Sequence, residues 1–229
     1  MMNTIAIAID GPAGAGKSTL ARILAKELQY IYVDTGALYR AVGYAMLQKG
    51  ISPSDAGSVV PNLTDLTVSL QFVDGEQQVL LNGENVSSCI RTPEVSMAAS
   101  AVSAIPEVRR FLFDLQQNMA KTHNVIMDGR DIGTVVLPWA QVKIFLSASP
   151  EARAQRRYEE LLQKGQTVTF EEVLKDMIER DYNDSHRAVA PLKPADDAIS
   201  VDTSGNTLEQ SIELLKSIVK EKLLCLNIR

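Results

Sequence analysis

Cysteine, histidine and long apolar runs are all scarce in this chain. Among its 229 residues there are two cysteines, Cys89 and Cys225. Neither belongs to a C-x-x-C pair, so neither a zinc site nor a dithiol redox motif is indicated. Reduced thiols in a cytoplasmic protein are the expectation. The two histidines, His123 and His186, stand far apart and form no ligand pattern. No apolar run approaches the roughly 20 residues of a membrane span. The N-terminus runs into Ile5–Asp10 without a basic leader or a small-residue cleavage site. A cytoplasmic location, with no membrane partner, follows as an expectation. A basic excess is missing too. The net charge of -5 weighs against a nucleic-acid polymer as partner. It leaves room for a small anion, because a local arginine cluster binds one inside an acidic protein.

What is present describes a globular α/β chain. A composition of 45% hydrophobic and 22% charged residues is ordinary for a folded domain, so disorder is not the default. The length suits one substantial core with small appended subdomains. Thr4–Ile9 reads as a buried strand, β-branched at Ile5, Ile7 and Ile9. A glycine-rich turn follows. Lys17–Leu28 then has helical periodicity, with Leu20, Ile23, Leu24 and Leu28 on one face. Ile31–Val33 is a second strand, and a helix from about Ala37 to Gln48 stops at Gly50. Strand, loop, helix, strand is the opening of a parallel sheet.

The pattern then changes. Leu66–Val73 alternates like a strand, Asp74-Gly75 is a hairpin-turn dipeptide, and Gln78–Asn82 returns as a strand. An antiparallel hairpin inside a βα series marks an insertion, whose core we place at 62–92. Pro93 opens a helical stretch that Pro106 interrupts. Val125–Met127 and Val142–Leu146 are further buried strands. Pro150–Lys164 and Phe170–Asn183 are helices joined near Gly165. Ala198–Val201 is a last strand and Thr207–Leu224 a last amphipathic helix. There is no internal repeat and no low-complexity segment. The expectation is a single domain over 1–229, with 150–192 forming a lid and its following loop.

Gly11-Pro12-Ala13-Gly14-Ala15-Gly16-Lys17-Ser18 is a complete G-x-x-x-x-G-K-[ST], with Thr19 next in the helix. The glycines let the backbone curl so that N–H groups point at phosphate oxygens. The helix N-terminus adds positive partial charge. In this motif the lysine, Lys17, reaches the β- and γ-phosphates, and the hydroxyl, Ser18, faces Mg²⁺. An apolar strand before the loop and an amphipathic helix after it separate this from an ordinary glycine turn. ATP with Mg²⁺ is the implied ligand. The loop alone does not choose among kinases, GTPases, ATPases and transporter subunits.

Further absences narrow that list. There is no Asn-Lys-x-Asp guanine reader and no ABC signature. What remains is rich in arginine and sited on loops. Arg40 follows Asp34-Thr35-Gly36, and Asp128-Gly129-Arg130-Asp131 ends a buried strand. Arg153, Arg156 and Arg157 share one helix face. Arg180, Asp184 and Arg187 end the next helix and enter the following loop. Ligands of open α/β sheets bind at the carboxyl ends of the strands, where the loops after Asp10, Val33 and Met127 open. A carboxylate that organises Mg²⁺ belongs there, which makes Asp128 the candidate.

This inventory suits transfer between two phosphates. Bringing two polyanions together needs compensating cations. A monophosphate, with its second pKa near 6, is already ionised at neutral pH and needs no general base. The lack of a histidine or a nucleophile beside these motifs is therefore expected. Transfer to water is the competing reaction, and a closing lid would suppress it.

Taken together these stretches resemble the bacterial cytidylate kinases, a family of nucleoside monophosphate kinases. The stretches are Ile9–Thr19, Asp34–Ala41, Ile90–Val95, Asp128–Val136, Lys143–Ser149 and Arg187–Leu192, in order along nearly the whole chain. The resemblance implies a three-layer P-loop kinase fold with an inserted antiparallel-β monophosphate-binding subdomain, a helical lid, and a monomer. It implies an acceptor phosphate held by Thr35, Arg40 and Arg130. Thr35 stands where serine is also familiar. Ser100, Arg109 and Asp131 match positions that read the cytosine edge, with Arg187 nearby. Arg180 and Asp184 match positions around the sugar and the transferring phosphate. By the related adenylate kinase pattern, Arg153 would lie by the adenine and Arg157 on the ATP phosphates. Cytosine offers an amino donor to Asp131 and Ser100, and N3 and O2 acceptors to Arg109. Uracil reverses the first two. Phosphoryl transfer from ATP to CMP or dCMP is the implied reaction, with Lys17, Arg130, Arg157 and Arg180 as its cations. Still open at this point are another small-acceptor P-loop kinase, for UMP/CMP, AMP or dephospho-coenzyme A, and a non-catalytic ATP-sensing module.

Overall fold

The computed structural model describes residues 4–73, 75–163 and 165–226. The predicted turn residue Asp74 and the predicted helix end Lys164 lie outside them.

Five strands build the main sheet: β1 (Ala6–Asp10), β2 (Ile31–Asp34), β6 (Val125–Gly129), β7 (Val142–Ser147) and β8 (Ile199–Asp202), in the order β2-β6-β1-β7-β8. Every pairing is parallel. Strands in such a sheet are covered on both faces, which is why they read as apolar runs. Side chains of β1 and the residue before it divide by parity. Ile5, Ile7 and Ile9 face a cluster with Leu20 and Leu24 of α1 (Lys17–Leu28) and with Leu215 and Val219 of α8 (Leu208–Cys225). Ala6 and Ala8 face the other side, with Ala120 of α5 (Pro106–Thr122) and Val136. Small residues on that side let the segment after β6, a π-helical turn over Ile132–Val136, lie close to the sheet.

The helix bounds follow local chemistry. α1 begins and ends at the positions predicted. α2 (Thr35–Gln48) starts earlier than expected, because the Asp34 side chain accepts from the Ala37 amide and caps it. It stops where expected. Gly50 has φ +67, its amide reaches Leu47 O at 3.0 Å, and Ile51 N reaches Met46 O at 2.9 Å. Only a residue tolerant of the left-handed region closes a helix in this way. Pro93 and Pro106 each occupy the first turn of a helix, α4 (Pro93–Ser103) and α5. α6 (Pro150–Gln163) is followed by α7 (Phe170–His186), which opens with a reciprocal Thr169–Glu172 capping box.

Between α2 and α4 lies a three-stranded antiparallel sheet of β3 (Val68–Val73), β4 (Glu76–Leu81) and β5 (Glu84–Asn85). The predicted hairpin is its first two strands, and β5 adds two residues. Helix α3 (Ala56–Asn62) precedes it and has no counterpart in the sequence reading. Gly57 and Pro61 lie within α3, and only Val59 is buried. Breaker residues and a single apolar contact leave no helical signature. The insertion rests on α2 and α4 through Ala37, Ala41, Val79, Val86, Ile90 and Val95.

Helices α6 and α7 form a hairpin with a small core of its own: Ala154, Leu161, Val173 and Met177. Among the described residues, no helix is long and apolar enough to cross a membrane.

Candidate active site

The sheet order reverses at β1, which has β6 on one side and β7 on the other. That switch point is where the carboxyl ends of an open α/β sheet leave a crevice. The loop Gly11–Gly16 fills its floor. A Cβ on Gly11 would stand 1.9 Å from Leu146 O, so only glycine lets the loop pass β7. Gly16, with φ +88, caps α1 and supplies no capping side chain, and the first turn holds no acidic residue. The α1 amides therefore remain free for an anion. Lys17 is buried, and its ammonium donates to Pro12 O at 2.7 Å. Burial, reinforced by Arg130, pushes it well below the usual lysine range, while Asp128 pulls the other way. A nearby polyanion would reverse that shift.

Ser18 and Asp128, both nominated for metal, meet directly. Ser18 Oγ donates to Asp128 Oδ2 at 2.8 Å, and Tyr32 Oη donates to Oδ1 at 3.0 Å. Burial, with Asp34 nearby, raises the Asp128 carboxyl to about 6. Hard oxygen donors on one side of a phosphate loop fit Mg²⁺, which takes one or two protein oxygens and completes its shell from phosphates and water. A cluster of three acidic or imidazole ligands is not required, and the described residues contain none.

Beside this lies a basket of arginines. Arg40 Nη2 donates to Asp34 Oδ2 at 2.7 Å, and Arg91 stands 3.6 Å from the same oxygen. Arg130 Nε donates to Asp184 Oδ2 at 2.8 Å, and Ser100 Oγ donates to Asp184 Oδ1 at 3.2 Å. Burial opposes the charge on Arg130, but Asp184 more than offsets it and raises its pKa. Arg180 fares differently. Burial and then Arg130 lower it to about 10. Its Nε, like that of Arg40, is shut off from solvent without a hydrogen-bond partner. Buried donors normally have partners, and two unpartnered guanidinium nitrogens in one basket fit the oxygens of an anion.

A third cluster sits deeper. Asp131 accepts from Arg109 Nη2 through Oδ2, and from Arg187 Nη2 through Oδ1 at 3.3 Å. Arg109 lies over the Tyr39 ring at 5.6 Å. Ser103 ties the two arginines together, its carbonyl accepting from Arg109 and its hydroxyl from Arg187.

Three nominated residues have protein partners of their own in this structure. Arg153 is buried beneath the phosphate loop. Its guanidinium reaches Ala148 O at 2.8 Å, Ala13 O at 2.9 Å and Asp181 at 2.6 Å. It braces the loop, because the reach of the side chain finds two carbonyls and a carboxylate before it finds solvent. Arg157 is the residue expected on the ATP phosphates. It pairs with Glu160 at 2.8 Å, one turn along α6. Thr35 is at the expected place, but its hydroxyl donates to Asp128 O at 2.7 Å. A Cβ on Gly129 would fall 2.8 Å from that hydroxyl, so the glycine makes the close approach possible.

The sequence reading nominated neither Asp34 nor Arg91. Asp34 ends β2 as Asp128 lies near the end of β6, and the same strand-end rule finds it. Arg91 carries no signal of its own, because it reaches Asp34 only through the fold.

The sequence model of the cytidylate kinase family matches residues 7–221. A cytidylate kinase from Caldicellulosiruptor bescii is 51% identical over 225 residues, 96% of this chain and 100% of that one. One from Ligilactobacillus salivarius is 48% identical, covering 97% and 99%. The crystal structure of an uncharacterized protein from Eubacterium ventriosum has a TM-score of 0.53 at 11% identity, covering 95% of this chain and 99% of that one, a likeness of fold alone. With the family pattern running almost from end to end and half the residues shared with full-length relatives, the chain belongs to the cytidylate kinase family.

Proposed function

We propose that this protein transfers the γ-phosphoryl group of ATP to CMP or dCMP, giving ADP and CDP or dCDP. The observation that carries the reading is the pair of orphaned guanidinium nitrogens on Arg40 and Arg180, in one basket with Arg130 beside Lys17. A nucleotide sensor needs one phosphate site. This chain has a loop for a donor and a separate basket for an acceptor.

In this reading Gly11–Thr19 wrap the ATP phosphates, and Arg40 and Arg130 bind the acceptor phosphate with Thr35 alongside. Arg180 lies between the two sites. An acceptor phosphate oxygen attacks the γ-phosphorus, and the bond to the β–γ bridging oxygen breaks, leaving ADP. The chain's own work is to align the two anions and offset the charge they share. Lys17 exchanges Pro12 O for phosphate oxygens. Mg²⁺, held by Ser18 and Asp128, would offset charge on the β- and γ-phosphates. Arg157 would have to leave Glu160 to join, a rotamer change on the surface of α6. The base edge falls to Asp131, Arg109 and Ser100 with Arg187 nearby, and the sugar and transferring phosphate to Asp184 and Arg180.

ADP release from ATP and Mg²⁺, with CMP, dCMP, UMP, AMP and GMP supplied in turn, tests this. Release that depends on CMP or dCMP and falls sharply with UMP is the expected result. Release with a different monophosphate keeps the transfer and removes Asp131 as base reader. Release with none overturns the reading.

A further inference from the structure

Asp10 is a buried carboxylate that the transfer reaction does not use. It is the last residue of β1, one step before Gly11, and 4% exposed. Its oxygens accept from two consecutive backbone amides. Ile132 N–H meets Oδ1 at 2.8 Å, and Gly133 N–H meets Oδ2 at 2.7 Å. Those amides open the π-helical turn and have no acceptor within it. The turn's own bonds run from Val135 and Val136 to Asp131 O, and from Leu137 to Ile132 O. Asp10 thus caps the turn from a different strand.

The residue directly before these amides is Asp131. Its φ of -147 and ψ of 26 belong to neither a helix nor a strand ladder. Arg109 and Arg187 grip its carboxylate, and the two clasped amides fix the course of the backbone that carries it. A carboxylate on two successive amides fixes both peptide planes, which a single acceptor cannot do. The position is costly for a charge. Burial raises Asp10 to about 7 against the pull of the two amides, with Asp131 adding to the rise and Lys17 opposing it. A Cβ on Gly133 would stand 3.4 Å from Asp10 Oδ2 and 3.2 Å from the Lys143 side chain, so the clasp is closed on both sides.

We infer that Asp10 is a positioning residue for base recognition: by clasping the Ile132 and Gly133 amides it aims the Asp131 carboxylate at the cytosine edge. One residue at the start of the donor loop thereby sets the acceptor preference. The inference rests on the reading of Asp131 as base reader, and the test separates the two.

Asp10→Asn keeps the shape but turns an amide donor toward a backbone N–H. Initial rates with CMP and with UMP, at saturating ATP, are compared for the wild type, Asp10→Asn and Asp131→Ala, alongside thermal midpoints. For Asp10→Asn the expected result is a KM for CMP raised about 10-fold and a CMP-over-UMP ratio of kcat/KM lowered about 10-fold, each equivalent to about 1.4 kcal/mol. The KM for ATP should stay within about twofold. A merely structural cap would lower the thermal midpoint and leave the ratio alone, and that outcome overturns the inference. So does a KM for ATP that rises in step. If Asp131→Ala keeps the wild-type ratio, the base-reader reading fails and the inference with it. If Asp131→Ala loses the ratio and Asp10→Asn keeps it, the inference about Asp10 alone is overturned. Gly133→Ala crowds the same clasp from the other side and should move the ratio in the same direction. It is judged by the same criterion should Asp10→Asn fail to fold.

Discussion

Gln77 exchanges a pair of hydrogen bonds with the backbone of Asp34. Asp34 N donates to Gln77 Oε1 at 2.9 Å, and Gln77 Nε2 donates to Asp34 O at 3.2 Å. β2 is an edge strand, so its outer backbone groups need a partner. The side-chain amide completes the ladder where a further strand would. It also ties the inserted sheet to the residue that holds Arg40 and faces Arg91. Gln77→Ala should therefore raise the KM for CMP about 5- to 30-fold, with kcat and the KM for ATP little changed. The estimate takes one or two net hydrogen bonds at about 1 kcal/mol each. Equal changes in both KM values would show that the tie does not act through the acceptor side.

Arg153 and Asp181 make a second cross-link, between α6 and α7, while the same guanidinium holds Ala13 and Ala148. The phosphate loop also packs against this hairpin, where a Cβ on Gly14 would meet Met177 at 3.1 Å and Arg153 at 3.3 Å. Arg153→Ala removes the buried cation and leaves two carbonyls and a carboxylate unsatisfied. The expected cost is about 3 kcal/mol in urea unfolding, with a higher KM for ATP. A residue that only stacked on adenine would raise that KM and leave the unfolding midpoint in place.

The arginine face of α6 shows where sequence reasoning ends. Spacing correctly puts Arg153, Arg156 and Arg157 on one face, because Cβ direction follows helical period. It does not say where long side chains go. Arg153 turns under the loop, Arg156 reaches Thr203 O at 2.7 Å, and Arg157 pairs along its own helix. The phosphate loop was legible for the opposite reason: its constraints are contiguous in the chain. So were the start of α4 at Pro93 and the break at Pro106. The clasp of Asp10 was not, because its amide partners lie 122 and 123 positions away, and only the assembled sheet brings them in.

Lys17 is buried, its charge is disfavoured there, and in this structure its main partner is a loop carbonyl. That arrangement suits binding a polyanion and contributes little to the fold. Lys17→Ala should lower kcat by about 1,000-fold or more, on the scale of removing a cation from the transferring phosphoryl group. The thermal midpoint without nucleotide should hold or rise. Near-normal turnover in this variant would remove Lys17 from the donor site.

Asp128 offers a test in which stability and activity move in opposite directions. Its carboxyl is raised to about 6 in the folded protein, chiefly by burial, against about 4 in an unfolded chain. Between those values the folded state holds the extra proton, so stability falls as pH rises through that window. The loss is complete above about 6. Asp128→Asn removes the charge, keeps an acceptor for Tyr32, and places a donor beside Ser18. The variant should therefore be more stable than wild type at pH 7.5, by up to about 3 kcal/mol on a shift of that size. It should match wild type near pH 4, where both side chains are neutral. Turnover should fall about 100-fold or more, since the hard oxygen donor that fits Mg²⁺ is gone. Urea unfolding at the two pH values, without nucleotide, reads the first effect, and ADP release at pH 7.5 reads the second. A variant less stable at both pH values would mean that Asp128 is held chiefly by its hydroxyl partners. Its burial would then not be a cost carried for phosphate and metal.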